Sequence, residues 1–154
     1  ECIMPTSRRT EIVNFLVTRL KEIDGQASPF DGSYTFNTNL FNNVFRKLKF
    51  LDEVNDFPSL YIAAGTEIRD FNSKSLTVAT LDVTIRAYVY GEDNSQSLAD
   101  DVVQDIEHVI YSIGDNADKG ILDITIESIS TDEGLVNPYG LAEAQITVVY
   151  RLEN

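Results

Sequence analysis

His108, the single histidine of the sequence, follows Asp105 by three positions and Asp101 by seven, spacings that gather the three side chains on one helix face. An imidazole and two carboxylates are metal-ligand types, but a protein zinc site needs a further ligand, and the sequence names none. The same residues also read as the solvated acidic side of an amphipathic helix, which is the expectation adopted. Carboxylates also stand side by side at Asp52/Glu53, Asp100/Asp101 and Asp132/Glu133. Adjacency in sequence does not make two carboxyls share a proton; burial must do that. Phosphate-loop, dinucleotide-binding glycine, nucleophile-elbow, Cys-x-x-Cys and His-Glu-x-x-His patterns are all missing. With one histidine and no tryptophan, catalysis would fall to Asp, Glu, Tyr or Lys alone. No enzyme, no cofactor and no bound metal are expected, and the chain reads as a binding or structural protein.

The elements that carry these residues are organised around the stretch from Leu76 to Ile113. Ala79, Leu81, Val83, Ile85, Ala87 and Val89 alternate with Thr80, Asp82, Thr84, Arg86, Tyr88 and Tyr90, a period of two with one dry face. Turn and cap residues at Glu92-Asp93-Asn94-Ser95 then open a helix whose Leu98, Val102, Ile106, Val109 and Ile113 recur at helical spacing, and Gly114 is expected to stop it. Upstream, Thr6 or Ser7 caps a first helix with Ile12, Phe15, Leu16, Leu20 and Ile23 in one stripe, ended by Gly25. Val44 to Phe50 reads as an edge strand with basic residues, Leu51 to Asp56 as a turn or short helix, and Ser59 to Ala64 as a short strand closed by Gly65. Thr66 to Ser75 is expected to be a polar turn. Downstream, Leu122, Ile124 and Ile126 form the dry side of another strand. The loop from Thr131 to Gly140 is dense in turn residues, and Ala142, Ala144, Ile146, Val148 and Tyr150 line a last half-buried strand. The fold class is α+β, a largely antiparallel sheet with two helices packed on one face, in a single domain spanning residues 1–154.

The sequence has 154 residues, enough for one core without staples. Cys2 is the single cysteine, so no intrachain disulfide forms and no chemistry is assigned to it. Met4 looks like a natural start, which makes Glu1-Cys2-Ile3 either a cloning remnant or an upstream extension. No apolar run is long enough to span a membrane as a helix, and no signal-peptide pattern opens the sequence, so a soluble intracellular product is expected. Twenty-five acidic against twelve basic residues give a formal net charge of -13. That balance opposes a surface that grips nucleic-acid phosphates, and serves either solubility or a surface past which DNA slides.

Three groups of residues resemble one known family. Val44-Phe45-Arg46-Lys47-Leu48-Lys49-Phe50-Leu51-Asp52-Glu53-Val54 and Phe57-Pro58-Ser59-Leu60-Tyr61 with Gly65-Thr66-Glu67 form the first. Ile85-Arg86-Ala87-Tyr88-Val89-Tyr90 before the acidic helix containing Gln104-Asp105-Ile106-Glu107 is the second, and Thr131-Asp132-Glu133-Gly134 before the Ile146 to Tyr150 strand is the third. In order and spacing they resemble the tail terminator, or tail completion, proteins of long-tailed bacteriophages. The resemblance implies a homo-hexameric ring that ends polymerisation of the tail tube protein, presents a joining surface to a head-completion (neck) protein, and lets DNA through without specific binding. It places the protein in the virion tail, assembled in the host cytoplasm, with no membrane partner. Interface candidates are Phe30, Tyr34, Phe36, Arg69, Arg86, Tyr88, Tyr139 and Arg151; channel-facing acids are Asp52, Glu53, Asp132 and Glu133. For Arg86 and Arg151 an ordinary cross-strand pairing with Asp82, Glu127 or Glu143 competes, and aromatics in the loop from Phe30 to Phe41 also suit covering a core edge. Another phage tube or neck protein, or a small ligand-binding regulatory domain, are the alternative functions.

Overall fold

A computed structural model describes residues 7–40, 42–71, 76–115 and 120–153. The expectations for Met4, Thr6, Phe41 and the cluster at 116–119 lie outside these residues. In chain order the elements are α1 (Arg8–Leu20), β1 (Val44–Phe45), a 3-10 turn (Leu51–Glu53), β2 (Ser59–Phe71), β3 (Leu76–Tyr90), α2 (Ser95–Asp115), β4 (Ile121–Thr131) and β5 (Tyr139–Glu153). The five strands form one sheet in the order β1-β2-β3-β5-β4, antiparallel except where β1 runs parallel to β2. Both helices cover the same face and share one core, the α+β architecture expected of a half-wet antiparallel sheet.

The period of two in β3 and the helical stripe of α2 meet as expected. Ala79, Leu81, Val83, Ile85, Ala87 and Val89 are buried against Val102, Ile106, Val109, Ile110 and Ile113. Each aliphatic side chain so buried contributes roughly 1.5–3 kcal/mol before chain entropy is subtracted. Ser7 caps α1, its hydroxyl oxygen accepting the Thr10 N–H at 3.2 Å. The helix ends at Leu20 rather than Gly25, and Ile23 joins the core from the turn that follows. At the entry to β5, Gly140 lies where a Cβ would stand 2.7 Å from the Ser95 carbonyl oxygen and 2.6 Å from Val89 Cγ2. Only a residue without a side chain allows β5 to pass the start of α2 so closely.

Further expectations are corrected. The strand expected over Val44 to Phe50 is confined to Val44–Phe45, because the chain then wraps over the sheet's outer face, where the Tyr88 hydroxyl donates to the Lys49 carbonyl. Gly65 does not close β2, and the stretch read as a turn continues as strand to Phe71, paired with β3 through Phe71↔Thr77. A bulge between Ala64 and Glu67 reverses which side chains face the helices. Glu67 therefore turns to the dry side and receives the Tyr150 hydroxyl, while Ile68 turns outward and is 59% exposed. In β4 a second irregularity between Ile121 and Asp123 puts Ile121 into the core and leaves Leu122 half exposed, the reverse of the expected phase. Gly114 does not stop α2, which runs one residue further to Asp115, a difference within the ordinary fraying of helix ends.

Candidate functional site

Asp105 and His108, whose types could do chemistry, serve structure. Asp105 is fully buried. Its Oδ1 accepts the Tyr34 hydroxyl at 2.8 Å and the Asn37 N–H at 3.0 Å, and its Oδ2 accepts the Thr38 N–H at 2.9 Å. Burial holds its carboxyl above the ordinary aspartate range, against the opposing pull of these donors. Burial, and then the contact with Asp105, raises the Tyr34 phenol above its ordinary range as well. His108 stacks on Tyr34 with centroids 4.0 Å apart, and its Nε2 lies 2.7 Å from Ser28 Oγ. This corrects the expected solvated acidic face: Asp105 and His108 form the seat on which the loop 26–40 is fastened. Among the described residues no group of three or more His, Cys, Asp or Glu side chains is placed to hold a metal ion, and no helix is long and apolar enough to cross a membrane.

Ile68 and Leu122 are exposed toward one end of the sheet, while several exposed apolar and charged side chains gather at the other. Its register fixes that end: β3 finishes at Tyr90 opposite Tyr139, the first residue of β5; β2 starts at Ser59 opposite Tyr88; and β4 finishes at Thr131 opposite Ala142. Phe57, Tyr90 and Tyr139 form an aromatic cluster here, with centroids 5.3 Å apart for Tyr90 and Tyr139 and 5.4 Å for Phe57 and Tyr139. Beside it the 3-10 turn carries Asp52 and Glu53. Glu53 Oε1 accepts the Phe50 N–H at 3.0 Å, which fixes the turn and leaves the Phe50 ring 72% exposed. A cleft of about 520 Å³ lies between Leu51, Asp52, Val54 and Tyr139. A more apolar cavity of about 300 Å³ is lined by Phe57, Pro58, Val89, Tyr90, Leu98, Val102 and Thr38.

The loop between β4 and β5 completes this end and is rigidly stitched. Asp132 accepts the Leu141 N–H at 3.1 Å and the Val136 N–H at 3.2 Å. Asn137 is held from the other side by the Ser95 hydroxyl at 2.9 Å and by the Glu92 carbonyl at 3.3 Å. Glu133 and Gly134 both take positive φ, 57° and 81°, which curls the chain back on itself; glycine adopts that geometry without strain. The result is an outward apolar tip, with Leu135 at 85% and Val136 at 36% exposure. Large apolar groups grouped on an ordered surface mark contact sites in soluble proteins.

Of the residues singled out from sequence, Tyr139, Asp52, Glu53, Asp132 and Glu133 come together at this end. Arg69 and Arg151 sit at the other end, level with Ala79 and Val78 of β3, roughly 35 Å away at the rise of a strand. Arg69 pairs with Glu67 at 2.8 Å. Arg86 lies midway on the outer face, paired with Glu143 at 2.8 Å across the strands, the ordinary partner foreseen for it. Phe36 is 3% and Tyr88 2% exposed, Phe36 in the main core and Tyr88 in a small cluster with Val54 and Tyr61. Tyr34 is half-buried in the Asp105 seat. Phe30 is exposed, with the Arg19 guanidinium 3.5 Å over its ring. Sequence reasoning missed Leu135, Phe50, Phe57 and Tyr90. The available signal was apolar residues lodged among turn residues, Leu135-Val136 between Gly134 and Asn137-Pro138.

Three comparisons bear on what such a surface serves. Residues 6–154 match a protein family described as Bacteriophage Tail Tube Terminator Protein. Tail tube terminator protein p142 of Escherichia phage T5 is 32% identical over 155 aligned positions, covering 93% of both chains. A chain in the solved virion of a native gene transfer agent particle superposes with a TM-score of 0.52 at 12% identity, covering 88% of this chain and 92% of that one. At that identity the last likeness concerns fold alone.

Proposed function

The chain belongs to the bacteriophage tail tube terminator family, and we propose on that premise that six copies close into a ring on the tube's end. It is a structural protein of the virion tail that caps the tail tube. The ring is non-enzymatic and each subunit acts as one domain. The observation that carries the reading is the ordered apolar end of the sheet, where Leu135 and Val136 project beside Tyr90 and Tyr139. A tube whose growth must stop needs a partner that buries its last apolar contacts and offers no copy of them in return. This end supplies the burying surface, and the opposite end, with Arg69 and Arg151, offers a different, charged one to a head-completion protein.

The acids at the apolar end suit the axis of such a ring. Asp52, Glu53 and Glu133 are exposed there, and a lumen of like charge denies DNA phosphates a binding site while it passes. Asp132 contributes less than its charge suggests, since both its oxygens hold backbone N–H groups.

The test is electron microscopy of the full chain mixed with tail tubes of its own phage. Tubes are expected to carry one ring-shaped cap on one end and to stop lengthening; tubes that stay uncapped and keep growing in excess protein would remove the function.

A further inference from the structure

The sheet has two uncovered margins of opposite character. At one, β1 contributes only Val44–Phe45 to the ladder, and the chain beyond it runs Arg46-Lys47-Leu48-Lys49-Phe50. Three of the twelve basic residues of the sequence fall in these five positions, with no acid among them. Phe45, Leu48 and Phe50 are 37%, 41% and 72% exposed beside them. At the other margin β4 is the last strand of the sheet, and over Ile121–Thr131 it carries Asp123 and Glu127 and no cation. Leu122 and Ile129 are 50% and 38% exposed on it. Its outer row of backbone donors and acceptors pairs with no described strand.

We infer that these two margins are the two halves of one subunit contact, the basic margin after β1 of one copy seating against the acidic edge strand β4 of the next. The inference rests on the ring proposed above and says where its subunits meet. Charge selects the occupant. A chain of net charge -13 repels its own copies over most of its surface, and the cluster at Arg46, Lys47 and Lys49 is where the field locally reverses. What a neighbour's β4 offers is complementary in both respects: apolar side chains for Phe45, Leu48 and Phe50, and carboxylates for the cations. The two patches lie toward opposite sides of one sheet, the basic one spreading from β1 onto the outer face over Tyr61 and Tyr88, and they differ from each other, so the contact is head-to-tail. Such heterologous contacts generate closed rings when the rotation closes. The same contact covers an open strand edge that would otherwise template unwanted pairing.

A head-to-tail contact held by charge permits a test that a structural role alone would not pass. Two full-length variants are made, R46E/K47E and D123K/E127K. All four native side chains are exposed, so folding, checked by circular dichroism, is expected to persist. Each variant alone opposes like charges at every contact and is expected to lose at least about tenfold in self-association by sedimentation and in capping of tail tubes. An equimolar mixture is expected to recover both. In a ring alternating the two variants, every contact joins opposite charges, and alternation closes only with an even number of subunits. Either variant assembling alone as wild type does, or a mixture that stays dissociated and leaves tubes uncapped, would overturn the contact while wild-type capping keeps the function standing. Wild-type protein that neither associates nor caps would overturn the function first, and this contact with it.

Discussion

Two loops of this protein are each fastened by an aspartate, and they finish facing opposite ways. Asp105 takes the backbone N–H groups of Asn37 and Thr38; Asp132 takes those of Val136 and Leu141. In both, a carboxylate substitutes for the ladder partner that irregular backbone lacks. Asp105 sits on α2, so the loop it holds is drawn onto the helix and its Tyr34 and Phe36 turn inward. Asp132 sits at a strand end, so the loop it holds projects beyond the sheet and Leu135 is left in water. The comparison teaches that a fixed loop is not thereby a buried one. Where the anchoring carboxylate stands decides whether the apolar side chains become core or contact surface.

The largest way to break this comparison is to remove the anchors. Asp105→Ala removes the fully buried acceptor shared by the Asn37 and Thr38 N–H groups and the Tyr34 hydroxyl and is expected to cost about 2–4 kcal/mol in urea unfolding, whereas Asp132→Ala, which removes a partly exposed acceptor of two N–H groups, costs about 1 kcal/mol. Equal losses would mean that burial does not separate the two sites. A smaller effect follows from pH. Because the Asp105 carboxyl titrates above its ordinary value when folded, the native state holds a proton that the unfolded chain releases between those two values. This contribution to stability is therefore full below the ordinary aspartate value and is lost as pH rises through the folded one. The slope in that window should fall in Asp105→Asn, leaving what Glu22, also raised by burial, contributes, and should persist in Asp132→Asn; a slope unchanged in both would sink the assignment. The smallest expected change in stability is that of Leu135→Ser, within about 0.5 kcal/mol because the side chain is exposed. Yet it should lower tube capping several-fold in the microscopy assay, and normal capping would leave the tip without its role.

The sequence made β3 and α2 legible because each has one wet and one dry side, and that contrast writes a period. Past Gly65, β2 lost its period for a physical reason: it continues beyond the helices' cover, so Thr66, Ile68, Arg69 and Asp70 are all exposed and hydrophobic alternation has nothing to report. Pairing with β3 sustains the strand there. The role of Asp105 was equally hidden, since its partner Tyr34 lies 71 residues away and a buried carboxylate on a helix looks like a solvated one until the donors arrive. Leu122 was misread because Gly120, which stands directly before the bulge at Ile121, reads as the end of the preceding turn rather than as a shift of phase in the strand. At the apolar end of the sheet, sequence singled out the acids at 52, 53, 132 and 133 as channel-facing and Tyr139 as an interface candidate. It could not supply Leu135 or Phe50, because apolar residues in a loop read the same whether they fold inward or stand out.

The bulge between Ala64 and Glu67 has an evolutionary side. A strand carrying one surplus residue tolerates its deletion without losing its pairing partner, and the side chains beyond it keep the faces they had. Deleting Thr66 would leave Ala64 opposite Val83, Glu67 opposite Leu81 and Ile68 opposite Thr80, as they stand now. Descendants of this chain can thus lose that codon and straighten the strand without re-sorting its far end between interior and exterior, a change that alignments would record merely as a gap.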